Sequence, residues 1–378
     1  MEEVLGGIED WKKKRNAVIL AHNYQRAEVQ EAADFCGDSL ELARKAARLD
    51  ADVIVFCGVD FMAETAAMLA PDRTVLMPDA HATCPMAQMA DEEDVTAAAR
   101  KHGARVLTYV NSTAAVKAVS DLCCTSANAV EVVESLPADK RIIFVPDRNL
   151  GQFVAERTGR DLVLWPGYCT THVVITTDDI ANARAEHPDA IVMAHPECTA
   201  PVRAVADELL STGQMLKFVA AGEAKQFIVA TEIGIIHALK KQNPQAEFFG
   251  PTRRAICPNM KKITLEKVLR CLENLEPRIE LPAEILERAR MPLERMLEID
   301  DRPCIVDVKI AQEENVFPFI PAGRSVEDMM LREPEQLEGE PKPSKQADPR
   351  PVPLKPPPDL GVRVIHPQGL GRYPGGLR

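Results

Sequence analysis

Cys84, Cys169 and Cys257 stand 85 and 88 residues apart in a chain of 378 residues. Thiolates are soft ligands that select zinc, copper or iron–sulfur clusters. The chain contains no C-x-x-C, so it lacks both the hairpin that usually grips structural zinc and the tight cysteine run that wraps a ferredoxin cluster. Ligands this far apart must be brought together by the fold. Three thiolates meeting at equivalent positions make a trigonal face. That face suits one [4Fe-4S] cluster per chain, with three irons held by protein and the fourth left open. An open iron is a Lewis acid for hydroxyl, carboxylate or imine groups. Cys36, Cys57, Cys123, Cys124, Cys198, Cys271 and Cys304 have no such placement and read as structural residues.

Three polar clusters accompany the cysteines: His22-Asn23-Tyr24, Tyr109-Val110-Asn111 and His195-Pro196-Glu197. Imidazole, phenol and carboxylate are the types that pass protons at a reacting centre. Ser39, Ser126 and the pair Ser211-Thr212 fall at candidate helix starts. Such residues cap helices, and a helix start with a hydroxyl can also hold a phosphate or carboxylate. His172, three residues after Cys169, could reach the same cavity. Neither G-x-G-x-x-G nor G-x-x-x-x-G-K-[ST] occurs, so nucleotide binding has no support and small phosphorylated or dicarboxylate substrates fit better.

What must position these residues is a unit written three times. Apolar, β-branched runs start at Ala17, Arg105 and Ala190, and each ends in one of the polar clusters. A helix-like stretch and a Ser/Thr break follow, reaching Ser39, Ser126 and Ser211 after 22, 21 and 21 residues. A second run comes next (DVIVFCG from Asp52, RIIFVPD from Arg141, QFIVATE from Gln226), then a third. Each unit reaches its cysteine 67, 64 and 67 residues from the start. Lead-in helices match as well, with ADEEDVTAAARKHG before the second unit and TTDDIANARAEHP before the third. Alternating strands and helices imply right-handed βαβ units, whose ligands bind outside the carboxyl ends of the strands. The predicted fold is α/β: three pseudo-symmetric three-layer α/β/α units with small parallel sheets around a central [4Fe-4S] site.

The spacing predicts units at 1–100, 101–184 and 185–310, the last including closing helices. Nine of the thirty residues from Leu331 to Leu360 are proline, so 311–378 reads as a disordered tail. A net charge of −12 argues against nucleic acid as a partner. No run approaches the roughly 18 apolar residues of a membrane span, and the N-terminus has no secretory h-region. The expectation is a cytoplasmic protein with reduced thiols.

The segments AHNYQ at Ala21, GDSLELA at Gly37, DAHATCPMA at Asp79, YVNSTAAVKA at Tyr109, CTSANAV at Cys124, PDRNLG at Pro146, HPEC at His195, STGQM at Ser211 and CPNM at Cys257 resemble the quinolinate synthase family. The resemblance runs from about residue 10 to residue 310. It implies condensation of iminoaspartate with dihydroxyacetone phosphate to quinolinate, with loss of phosphate and two waters, in NAD biosynthesis. It implies Cys84, Cys169 and Cys257 as cluster ligands. It also implies Tyr24 and Glu197 as the main proton-transfer groups, assisted by His195 and Tyr109. His22, Ser39, Asn111, Ser126, His172, Ser211 and Thr212 would contact substrate, and a functional link to L-aspartate oxidase is implied. Cys257-Pro-Asn-Met260 matches the subfamily without a C-x-x-C-x-x-C run there. Two other readings fit the cysteines: a [4Fe-4S] hydro-lyase of a small hydroxy acid, and an iron–sulfur sensor. The paired proton-transfer residues speak against the sensor.

Overall fold

The computed structural model describes residues 2–222 and 224–299. Cys304 and the tail expected from residue 311 lie outside the described residues.

The three apolar runs are strands, and each is the second strand of a four-stranded sheet. In the first repeat, helix α1 (Glu2–Arg15) leads into β1 (Ala17–His22), α2 (Ala27–Ala32), β2 (Phe35–Gly37) and α3 (Ser39–Ala46). Then come β3 (Val53–Cys57), α4 (Asp60–Leu69) and β4 (Thr74–Leu76). The second repeat runs α5 (Glu92–His102), β5 (Arg105–Tyr109), α6 (Ala114–Ala118), β6 (Leu122–Cys124) and α7 (Ala129–Ser135). It closes with β7 (Ile142–Val145), α8 (Arg148–Thr158) and β8 (Leu162–Leu164). The third runs α9 (Thr177–Glu186), β9 (Ile191–Ala194), α10 (Ala200–Ala204), β10 (Glu208–Leu209) and α11 (Thr212–Ala221). It ends with β11 (Gln226–Ala230), α12 (Ile235–Gln242) and β12 (Glu247–Phe249). Strand orders β2-β1-β3-β4, β6-β5-β7-β8 and β10-β9-β11-β12 are the same, and all pairings are parallel.

Successive strand side chains point to opposite faces, and both faces are covered. In β3, Ile54 and Phe56 enter a core shared by all three repeats, while Val53, Val55 and Cys57 enter a separate outer cluster. Met193 of β9 and Phe227 of β11 likewise face the shared core, and Val192 and Ile228 the outer one. In the second repeat, Leu107 and Phe144 face inward, and Val106 and Ile143 outward. Each sheet is thus the middle layer of its own α/β/α sandwich, with one face turned to the common centre. Two closing helices follow. α13 (Leu265–Asn274) packs on α1, and α14 (Ala283–Glu298) on α6, β6 and α4, so both bind the later chain back onto the first two repeats.

One edge device recurs. Asp34, Asp121 and Asp207 each donate a backbone N–H to the carbonyl of Ile19, Val106 or Val192 at 3.0 Å. The carboxylate of each then accepts the N–H of that same residue, at 2.7, 2.7 and 2.8 Å. These closed pairs lie 15 residues apart in every copy and start the β1–β2, β5–β6 and β9–β10 ladders.

Candidate active site

At the carboxyl ends of the strands the three repeats surround one cavity. Its wall includes the tips of β1 and β5 (His22, Tyr109), the corresponding tip just past β9 (His195) and the residues two further on (Tyr24, Asn111, Glu197). Seventeen residues beyond each tip stand Ser39, Ser126 and Thr212, which also line it. Cys84, Cys169, Cys257 and His172 complete the set.

Ser211 is the one residue expected at the site that is not in the cavity wall. It is the N-cap of α11, its hydroxyl accepting from the Gln214 N–H at 3.3 Å. Thr212 is therefore the counterpart of Ser39 and Ser126, one residue later than spacing from the run starts had indicated. The caps differ too. Asp38, not Ser39, caps α3, accepting from the Leu40 and Glu41 N–H groups at 2.9 Å, and Ser126 lies two residues before the N-cap of α7. A turn-compatible hydroxyl just before a helix reads like a cap in sequence; here caps and cavity hydroxyls are neighbouring residues with separate jobs.

Two imidazoles have fixed tautomers. Nδ1 of His22 accepts the Tyr24 N–H at 3.1 Å, and Nδ1 of His195 accepts the Glu197 N–H at 3.3 Å. With Nδ1 an acceptor, the neutral ring carries its proton on Nε2. The Nε2 of His195 lies 3.2 Å from the Ser126 hydroxyl. Burial lowers the pKa of both rings to about 3, with Lys261 also lowering His22 and Glu197 opposing in both cases. They are neutral donors, suited to anionic groups without adding buried charge.

The tyrosines are joined by a continuous chain. Tyr24 Oη lies 2.5 Å from Thr231 Oγ1, which lies 2.7 Å from His172 Nε2. His172 Nδ1 lies 2.7 Å from Glu197 Oε2, and the Tyr109 hydroxyl donates to Glu197 Oε1 at 2.6 Å. Burial raises the pKa of Glu197, but His172, His195 and Tyr109 more than offset it and leave the carboxyl at about 2. Burial and the Glu197 charge push both tyrosines up, so they are full phenols. Asn111 donates weakly to Glu197 at 3.5 Å, while its Oδ1 is buried without a partner.

Thr231 was not visible as a site residue in the sequence, nor was Lys261, whose Nζ lies 2.9 Å from Glu232. Thr231-Glu232 ends the second run of the third repeat, and that polar end was the available signal.

All nine described cysteines are free thiols. Cys57, Cys123, Cys124, Cys198 and Cys271 are buried and Cys36 is exposed; only Cys84, Cys169 and Cys257 line the cavity. Burial pushes Cys84 to about 12 and raises Cys169 and Cys257, so none is a ready thiolate; a bound metal would supply the drive for deprotonation. The loop carrying Cys169 is held closely: a Cβ on Gly167 would sit 2.4 Å from the Pro146 carbonyl oxygen. Cys169, His172 and Glu197 also bring three ligand atoms within 4.8 Å of one another.

Comparison with known proteins bears on this arrangement. The family described as "Quinolinate synthetase A protein" matches residues 6–298. A quinolinate synthase of Dehalococcoides mccartyi (strain CBDB1) is 53% identical over 293 residues, covering 77% of this chain and 97% of the relative. One from Desulforudis audaxviator (strain MP104C) is 51% identical over 297 residues, 78% and 98% of the two chains. One from Methanoregula boonei (strain DSM 21154 / JCM 14090 / 6A8) is 53% identical over 287 residues, 76% and 95%.

Proposed function

Because the chain belongs to the quinolinate synthetase A family, as an enzyme of NAD biosynthesis whose family implies an iron–sulfur cofactor, we propose that it condenses iminoaspartate with dihydroxyacetone phosphate. Quinolinate, one phosphate and two waters are the products, and the sum is redox-neutral, in keeping with the absence of a dinucleotide loop from the sequence.

The observation that carries this reading is the Tyr24–Thr231–His172–Glu197–Tyr109 chain beside three cysteines in one cavity. Dehydration with ring closure requires protons to leave carbon and reach departing oxygen. Tyr24 can give its proton toward Thr231, Thr231 to His172 Nε2, and His172 Nδ1–H to Glu197. Run the other way, the same chain returns it. We assign Tyr24 and Glu197 the main proton transfers, with Tyr109 and His195 assisting. His22, Ser39, Asn111, Ser126, His172 and Thr212 are assigned to hold substrate. The neutral Nε2–H groups of His22 and His195 serve two anionic substrates without a basic groove.

Cys84, Cys169 and Cys257 fit an iron–sulfur group in type, placement and freedom from disulfides, and we assign them as ligands of one [4Fe-4S] cluster. When bound, such a group would supply Lewis acidity at an open iron, helping hydroxide leave. Residues 1–100 and 101–184 are taken as the first two units and 185–310 as the third with the closing helices, the cytoplasm as the compartment, and an L-aspartate oxidase as the source of the unstable imine.

A mononuclear metal on Cys169, His172 and Glu197 is the second reading, favoured by the proximity of their ligand atoms. One experiment separates them. The chain is purified without oxygen, assayed for iron and sulfide, and given iminoaspartate with dihydroxyacetone phosphate. Four irons, four sulfides and equal yields of quinolinate and phosphate are expected. A fully loaded protein that makes no quinolinate sinks the activity; one metal without sulfide favours the second reading.

A further inference from the structure

Each of the three cavity cysteines has its backbone N–H taken by a buried or half-buried carboxylate from the end of the third strand of its own repeat. Asp60 Oδ1 accepts from Cys84 at 3.1 Å, Asp147 Oδ2 from Cys169 at 3.2 Å, and Glu232 Oε1 from Cys257 at 3.1 Å. The same carboxylates grip the chain just after the strand: Asp60 accepts from Phe61 at 2.8 Å, Asp147 from Asn149 at 2.7 Å, and Glu232 from Gly234 at 2.7 Å. Each acid thus ties the cysteine loop to the strand end. Asp147 and Glu232 are 0% exposed.

The loops bearing these acids are themselves held from the neighbouring repeat. Gln30, Lys117 and Arg203 occupy one position, eight residues beyond His22, Tyr109 and His195, and all are buried. Gln30 donates to the Gly234 carbonyl at 3.0 Å and Arg203 to the Asn149 carbonyl at 3.1 Å, in each case two residues past the acid. Lys117 donates to Ser112 O at 2.6 Å, with its ammonium 5.5 Å from the ring of Phe61, the residue after Asp60. The first repeat steadies the third, the third the second, and the second the first.

We propose that Asp60, Asp147 and Glu232 are positioning residues, which fix the three cysteine loops so that their sulfurs hold the cluster. This rests on the assignment of those cysteines as cluster ligands. Residues that orient metal ligands from behind typically change metal affinity by about 10–100-fold when replaced.

The oxygen-by-oxygen pattern supplies the test. Asp147 divides its bonds: Oδ1 caps α8 through Asn149 and Leu150, and Oδ2 takes Cys169. Asp147→Asn can keep the cap but then turns an amide N–H toward the Cys169 N–H. Asp60 uses Oδ1 for both Phe61 and Cys84, so Asp60→Asn retains both acceptors, while Asp60→Ala retains neither. The holoenzyme and variants are compared anaerobically by thermal melting, iron release to a ferrous chelator, and electron paramagnetic resonance of the reduced cluster. Asp147→Asn and Asp60→Ala should release iron roughly 10–100-fold faster than wild type, with an altered resonance. Asp60→Asn should stay within about twofold, since its bond geometry is retained. Wild-type release and spectrum in Asp147→Asn would overturn the proposal, as would equal effects in Asp60→Asn and Asp60→Ala. Should Asp147→Asn melt early, the contrast between the two Asp60 variants decides. A wild-type chain that binds no cluster overturns the ligand assignment itself, an outcome distinct from a loaded wild type beside an unaffected variant.

Discussion

The two ends of β1, β5 and β9 differ in a telling way. At the rim, all three copies use aspartate (Asp34, Asp121, Asp207) to close the same pair of bonds on the strand. At the axis, the equivalent positions read His22, Tyr109 and His195, then Tyr24, Asn111 and Glu197. The rim meets one recurring need, a strand N–H lying where the neighbouring ladder has yet to begin. On the proposed function the axis would face a substrate pair without threefold symmetry, which identical side chains would serve badly. Cysteine is the exception at the axis, as the proposed cluster would require: three equivalent irons would take three like ligands.

The strongest way to break this contrast is at the alike residues of the axis. Cys169→Ser should lose bound iron and activity together, with quinolinate formation falling below detection in the anaerobic assay. A variant that retained four irons would show that sulfur at this position is not required. Replacing a diverged residue should separate the two properties. Tyr24→Phe removes the first hydroxyl of the relay, and turnover should fall by about 10²–10⁴-fold with iron and sulfide content unchanged. Turnover near wild type would take Tyr24 out of the proton path.

The same contrast explains what the sequence made legible. Buried parallel strands must be apolar throughout, so the runs at Ala17, Arg105 and Ala190 and their common spacing were plain, and with them the cysteines. The tips of those first strands carry His, Tyr and Glu, types conspicuous enough to find. Thr231 was missed because one threonine at a strand end looks like any turn residue; only the packing of three repeats sets it between Tyr24 and His172. Asp60, Asp147 and Glu232 were hidden because an acid before a helix also reads as a cap, which Asp147 in fact is. Ser211 and Thr212 show the remaining limit: spacing locates a position to within a residue, and one residue separates a cap from a cavity wall.

A smaller effect concerns the neutral histidines. Burial lowers His195 from its ordinary 6.5 to about 3, so as pH falls below 6.5 the unfolded chain gains a proton that the folded chain refuses. Its stabilisation is full above 6.5 and is lost as pH falls toward 3. Glu197, whose pKa is depressed from 4.5, begins to lose its own contribution only below that value. Between those ordinary values Glu197 adds little slope, while His22, also lowered to about 3, acts with the same sign as His195. Asp38 and Asp147, raised to about 6 and about 7 chiefly by burial, act with the opposite sign, so the informative quantity is a difference between variants. Urea unfolding of the metal-free chain at a series of pH values should show His195→Gln losing less stability on acidification, by about 1.4 kcal/mol per pH unit. An unchanged slope would mean that His195 takes up its proton in the fold as readily as in the unfolded chain.

The rim gives the smallest effect and the sharpest test of sameness. Each aspartate contributes one charge-assisted bond to a backbone N–H at a partly exposed edge, so Asp34→Ala, Asp121→Ala and Asp207→Ala should each cost roughly 0.5–1.5 kcal/mol in urea unfolding. Asp34 and Asp207 also pair with Lys12 at 2.7 Å and Arg184 at 2.8 Å. Exposed ion pairs are worth about 0–1 kcal/mol, too little to separate the three values widely. Turnover should be unaffected in all of them, since none lines the cavity. Three similar losses would make the rim a scaffold feature repeated for geometry alone. If one variant also lost activity while its stability loss matched the others, that rim would be coupled to its strand tip, and the separation between rim and axis would fail in that repeat.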